Sequence, residues 1–320
     1  MGKVERFTYL DNVTGILIIY MIFFFHLPGH CGVGDSSIIL WLRNVFDFFM
    51  AWFFFKGGMN FYQRPIKEEF CKCFQRLLIP YALINIFCLL LWSVTHYSSG
   101  YIAILNLIKE SILSECVALC YASWFLLSLA IVRLMEQILK VISCPKILIL
   151  LVSLLLAMWL NNYTYGGGNI PHWVGNVFLG LFFFELGNNM RDTQFNKSIL
   201  IVSAIIYIIH LFRPAYLDFY NNKSSAYLLS VIYDIAGIIL FNNLFRKLLN
   251  KKIRILTHIG TNSMVYYITH STFFYLLYVA HTFSILGWHL YIISIFITIL
   301  FLIIMDYLFQ IKRIRWVVGG

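Results

Sequence analysis

Charge is what this sequence has least of. Only 12% of its 320 residues are Asp, Glu, Lys or Arg, where a soluble domain carries about a quarter. So few charges cannot cover the surface of a water-soluble fold of this size. With 61% hydrophobic residues and a mean hydropathy of +0.80, the solvent the sequence is written for is lipid. Proline is scarce too, at 6 residues. No Pro/Ser linker and no polar block long enough to fold alone interrupts the chain, so we expect a single membrane domain over residues 1–320 and no separate soluble domain.

Other chemistries are excluded by what their motifs lack. The seven cysteines are Cys31, Cys71, Cys73, Cys88, Cys116, Cys120 and Cys144. They are odd in number and scattered, and Cys71 and Cys73 have no His or Cys partner at zinc-ligand spacing. They read as small apolar residues with free thiols, and no metal is expected. The glycine run at 166–168 is not followed by the Lys-Ser/Thr of a phosphate cradle. The net charge of +10 is not gathered on one amphipathic face, which argues against nucleic acid.

What the chain has instead is ten apolar runs of about twenty residues, the length that crosses a bilayer as helix. They begin near Tyr9, Ile39, Ile79, Ala122, Lys146, Pro171, Ser198, Ala226, Gly260 and His289. The expected fold is an all-α integral membrane protein of about ten transmembrane helices in one bundle. The first run follows Lys3 and Arg6 but lacks a small-residue cleavage site, so it reads as a retained helix rather than a signal peptide.

Basic residues fall on alternate connections. Arg64, Lys67, Lys72 and Arg76 follow the second run, Arg133, Lys140 and Lys146 the fourth, and Arg191 and Lys197 the sixth. Arg246, Lys247, Lys251, Lys252 and Arg254 follow the eighth, and Lys312, Arg313 and Arg315 the last. The opposite connections hold only Lys109, Arg213 and Lys223. By the positive-inside rule both termini are cytosolic, and the sequons at Asn162 and Asn222 are external.

Polar residues inside the runs are expensive in hydrocarbon and therefore informative. Each has a structural reading, as a partner for a neighbouring helix, beside a functional one. His26 lies towards the outer end of the first run, with His30 one turn beyond. In the ninth run Ser263, Tyr267, His270 and Phe274 repeat at helical spacing and share a face. Arg43 and Asp47, one turn apart, are expected to pair with each other. Lys56 sits in FFFKGG, near the cytosolic end of the second run. Glu185, Asp234 and Asp306 are candidate counter-ions or transport carboxylates.

Several stretches resemble the membrane acyltransferase-3 family in chain order. They are YLDNVTGILIIYMIFFFH at the start, FFFKGGMNFY, FQRLLIPY, SWFLLSL (Ser123 to Leu129) and IGTNSMVYYITH (Ile259 to His270). The resemblance covers essentially the whole chain. It implies an enzyme that O-acylates sugars, mostly with acetyl from acetyl-CoA, on polysaccharides, glycolipids or similar acceptors. It also implies a histidine in helix one as general base and a basic residue eleven positions earlier that handles the donor. A neutral imidazole suits the first role, since it can take a hydroxyl proton as the oxygen attacks the thioester.

The sequence departs from that pattern. His26 carries the histidine, but the residue eleven before it is Gly15, and the family's basic position, just before that glycine, is Thr14. If the glycines are aligned, the histidine comes one place late. Lys56 lies at about the depth of Gly15 and is expected to supply the missing cation. Its alternative reading is an ammonium that snorkels to the cytosolic face.

The expected activity is acyl transfer, by preference acetyl, from acyl-CoA to a hydroxyl of a cell-surface or lipid-linked sugar in a bacterial plasma membrane, with no bound cofactor. The catalytic candidates are His26 and Lys56. Lys56, Arg64 and Arg76 are candidates for holding the donor, and His30, Asp47, Ser263, Tyr267 and His270 for lining the substrate cavity. The alternatives are a transporter or flippase for a lipid-linked sugar or small anion, and a catalytically silent member of the family. Against transport, no internal repeat pairs one half of the chain with the other.

Overall fold

A computed structural model describes residues 7–95, 100–114, 116, 120–165, 171–280 and 287–319. Lys3, Arg6, the glycine run at 166–168 and the side chain of Asn162 lie outside the described residues. The apolar runs become helices: Thr8–His30 (α1), Ser37–Met59 (α2) and Ile66–Thr95 (α3). Gly100–Ser114 (α4), Trp124–Val141 (α5), Lys146–Tyr165 (α6), His172–Met190 (α7) and Lys197–Phe212 (α8) follow. The last four are Tyr227–Leu248 (α9), Arg254–Thr261 (α10), Ser263–Ala280 (α11) and Trp288–Phe309 (α12). Two of these, α4 and α10, lie between expected runs. By length and composition, five helices (α1, α2, α3, α9 and α12) are apolar enough to cross a membrane among the described residues, and α8 and most of α6 are shorter apolar helices.

Two compact units emerge from the packing. The first comprises Met1–Phe49, Gln194–Pro214 and Val231–Asp306, the second Met50–Thr193, Ala215–Ser230 and Tyr307–Gly320.

The first unit is organised around a seam between α1 and α10. Asn12, fully buried, donates its amide hydrogens to the carbonyls of Leu249 and Lys251 at 2.7 and 2.8 Å, and its oxygen accepts from the Thr257 hydroxyl at 2.7 Å. One side chain thus ties α1 to the exit of α9 and to α10. Gly15 and Gly260 let the backbones close. A Cβ on Gly260 would overlap the Asp11 carbonyl, and one on Gly15 the Leu256 carbonyl. Gly260→Val is expected to destabilise the protein by about 1–3 kcal/mol, as overpacking does. Thermal melts of the detergent-solubilised protein check it.

α1 is not a regular helix. Pro28 has no N–H to give the turn before it and its ring crowds that turn's carbonyl, and the helix widens to π geometry over Met21–His26 just upstream. Leu27 N–H reaches back to Ile22 O, so the Phe23 carbonyl loses its usual donor. The Tyr291 hydroxyl fills that gap at 2.8 Å, and Arg43 donates to the Phe25 carbonyl at 2.7 Å. Carbonyls released by an irregular turn inside a membrane must find such partners.

In the second unit the two glycines after Lys56 have a packing reason. A Cβ on Gly58 would strike the Phe184 carbonyl, and one on Gly187 the Phe55 carbonyl, so the end of α2 and α7 meet backbone to backbone. Buried charges nearby are matched. Glu69 takes Arg133 at 2.6 Å and Arg64 at 3.4 Å, and Lys140 bridges Glu136 at 3.1 Å and Glu185 at 3.2 Å. The Asn222 sequon is buried, its amide donating to the Ala157 carbonyl and accepting from the Tyr227 hydroxyl. Folded protein therefore offers no glycan acceptor there.

Candidate functional site

The first unit brings the two expected histidines together. The π turn ends at His26, and the His26 ring lies 5.3 Å from that of His270, centroid to centroid. His26 is half-buried, packs edge-on against Phe25, and neither ring nitrogen has a hydrogen-bond partner among the described residues. His270 is buried. Its Nδ1 lies 3.1 Å from the Tyr266 carbonyl, which can only accept, so Nδ1 carries the hydrogen and Nε2 of the neutral ring is left as the acceptor. The arrangement offers one unengaged imidazole supported by a second whose orientation is fixed.

Tyr267 and Phe274 pack edge-on against His270 at 6.0 and 5.6 Å, and the His30 ring lies 5.2 Å from Phe274. Of the four residues expected to share the α11 face, His270 is thus in this pair and Tyr267 and Phe274 flank it. Ser263 opens α11, just past the break at Asn262 that ends α10. It stands two turns from His270, roughly 10 Å along the helix.

Arg43 and Asp47 do not pair with each other, contrary to expectation. α2 is interrupted between Val45 and Phe49, so the spacing of four no longer places the two side chains on one face. Arg43 serves the Phe25 carbonyl, and Asp47 pairs with His210 Nε2 at 2.9 Å. The Tyr207 hydroxyl donates to the Val45 carbonyl. The Asp47–His210 pair was missed because a lone histidine in the run IIYIIHLF carries no local sign of its partner. Asp234 is buried in the same unit, and Asp306 binds His258 at 2.7 Å.

The donor candidates lie in the second unit. Lys56 is half-buried, with its ammonium 5.8 Å from the centre of the Trp52 ring. Glu185, expected as a possible counter-ion for it, is engaged by Lys140. Arg64 is shared between Glu68 and Glu69. Arg76 is exposed, beside the C-terminal turn at Gly319.

Among the described residues, the apolar helices, buried ion pairs and carbonyls capped by side chains fit a helical membrane protein. The chain belongs to the acyltransferase-3 family, matching its acyltransferase domain over residues 7–307. No curated protein and no solved structure matches it.

The π turn bears on the histidine's one-place displacement. A π turn holds one more residue than an α turn, its bonds running from i to i+5. Thr14 and His26, twelve apart, therefore span about what eleven residues span in a regular helix. Thr14 itself is buried, its hydroxyl donating to the Leu10 carbonyl at 2.5 Å, and the position carries no charge.

Proposed function

We propose that this protein transfers an acyl group, by preference acetyl, from acyl-CoA to a hydroxyl of a lipid-linked or cell-surface sugar. The observation that carries this reading is the half-buried imidazole of His26, unengaged, held on a π turn beside His270. In this reading a His26 ring nitrogen takes the acceptor's hydroxyl proton as that oxygen attacks the thioester carbonyl. The tetrahedral intermediate then collapses, the C–S bond breaks, and the CoA thiolate leaves with the proton returned by His26. The product is an O-acyl ester and free CoA thiol.

About ten spans with both termini cytosolic, as the basic connections favour, put His26 towards the outer face of what we read as a bacterial plasma membrane. Lys56 and the exposed Arg76 then supply charge for the donor's phosphates. Arg64, already matched by Glu68 and Glu69, serves mainly the ion cluster. His30, Tyr267 and His270 would border the acceptor, with Ser263 further along α11 and Asp47 at the interruption of α2.

Lys56→Met and Lys56→Gln are expected to lower kcat/KM for acyl-CoA by roughly 10- to 100-fold, the worth of a hydrogen bond to a charged group. Full activity in a well-inserted variant would remove Lys56 from the donor site. The whole reading is tested by thiol release from acetyl-CoA with and without envelope glycans.

A further inference from the structure

The first unit contains a cavity of about 690 Å³ that none of the chemistry above uses. Its walls are aliphatic and aromatic: Ile22 and Phe24 of α1, Ile255 of α10, and Ile299 and Ile303 of α12. Ile255 and Ile303 are 71% and 60% exposed, so the groove opens on the surface that the apolar helices present to lipid. One end is polar and is lined by Arg254, His258 and Asp306.

That end is basic on balance. Asp306 contributes one negative charge there, its Oδ2 2.7 Å from His258 Nε2, which the neighbouring cations outnumber. Arg254 is exposed and follows the exposed Lys251 and Lys252, with Arg246 and Lys247 just upstream. An apolar groove ending in a basic cluster at the membrane surface has the charge pattern that recognises an anionic lipid headgroup. The polarity also separates it from the acceptor reading. α10 lies along the first half of α1, with Gly260 against Asp11 and Leu256 against Gly15, and His26 stands roughly 15 Å beyond Gly15 along that helix. A sugar presented to His26 would have its headgroup at the opposite end.

We propose that this groove binds an anionic phospholipid, one acyl chain lying against Ile22, Phe24, Ile299 and Ile303 and the phosphate on Arg254. The chain would press on the π turn that presents His26, because Ile22 and Phe24 belong to it.

The test is native mass spectrometry of the full-length protein in mild detergent, titrated separately with phosphatidylglycerol and phosphatidylcholine. Wild type is expected to retain one phosphatidylglycerol at least fivefold more strongly than phosphatidylcholine, about what one basic residue contributes at a charged membrane surface. Arg254→Glu should erase the preference while phosphatidylcholine still binds. Ile303→Trp, which fills the groove from an exposed position, should weaken both. Equal retention of the two lipids by wild type, or a preference that survives Arg254→Glu, overturns the proposal. Should Arg254→Glu aggregate, Arg254→Gln makes the same comparison. Acyl transfer does not enter the readout, so the result stands apart from the proposed activity.

Discussion

His26→Ala is expected to lower acyl transfer by roughly 10²- to 10⁴-fold, the range a positioned general base contributes. The fold should be untouched. His26 is half-buried and makes no hydrogen bond among the described residues, so its removal leaves no buried donor or acceptor stranded. Thermal melts and detergent elution profiles should therefore match wild type while turnover collapses. His270→Ala should behave differently. That ring is buried and bonded to the Tyr266 carbonyl, so its loss should reduce both stability and rate. Unchanged turnover in a correctly folded His26→Ala protein would remove the general base from the mechanism.

Glu69→Ala is expected to destabilise the protein by about 3 kcal/mol, the low end for breaking a buried pair, because it leaves the half-buried Arg133 guanidinium without its carboxylate. Glu69 is fully buried, and Arg133 approaches it through two nitrogens, Nε at 2.7 Å and Nη2 at 2.6 Å, while Arg64 lies at 3.4 Å. The double variant Glu69→Met with Arg133→Met should recover much of the loss, since removing both partners costs far less than removing one. A melting temperature that Glu69→Ala leaves unchanged would show the cluster to be screened by solvent rather than dry. The same pairing bears on transport. Two of the three carboxylates expected to serve a moving ion, Glu185 and Asp306, are engaged by Lys140 and His258.

The helices were legible because lipid demands long apolar runs, and five of the runs became helices long and apolar enough to cross a membrane among the described residues. The breaks were not legible from periodicity. α2 is interrupted after Val45, which is why a spacing of four misassigned Asp47 to Arg43. Its true partner, His210, is separated from it by more than a hundred residues of chain. The π turn had a visible signal in Pro28, two places after His26, but the sequence alone left the histidine one place out of register. The α1–α10 seam was half visible. Asn12, Gly15 and Gly260 fell in stretches carrying the family resemblance, yet their reason, a polar clasp beside two backbone contacts, needed the packing.

The measurement that bears most directly on the central claim uses purified protein in nanodiscs with acetyl-CoA. Free thiol release is followed beside ester formation, with and without envelope glycans. Release that depends on glycan, matches the new ester mole for mole and disappears in His26→Ala is the predicted result. Thiol release indifferent to every glycan fraction, or glycan acylation that persists in His26→Ala, would contradict an acyltransferase with its base on the π turn of helix one.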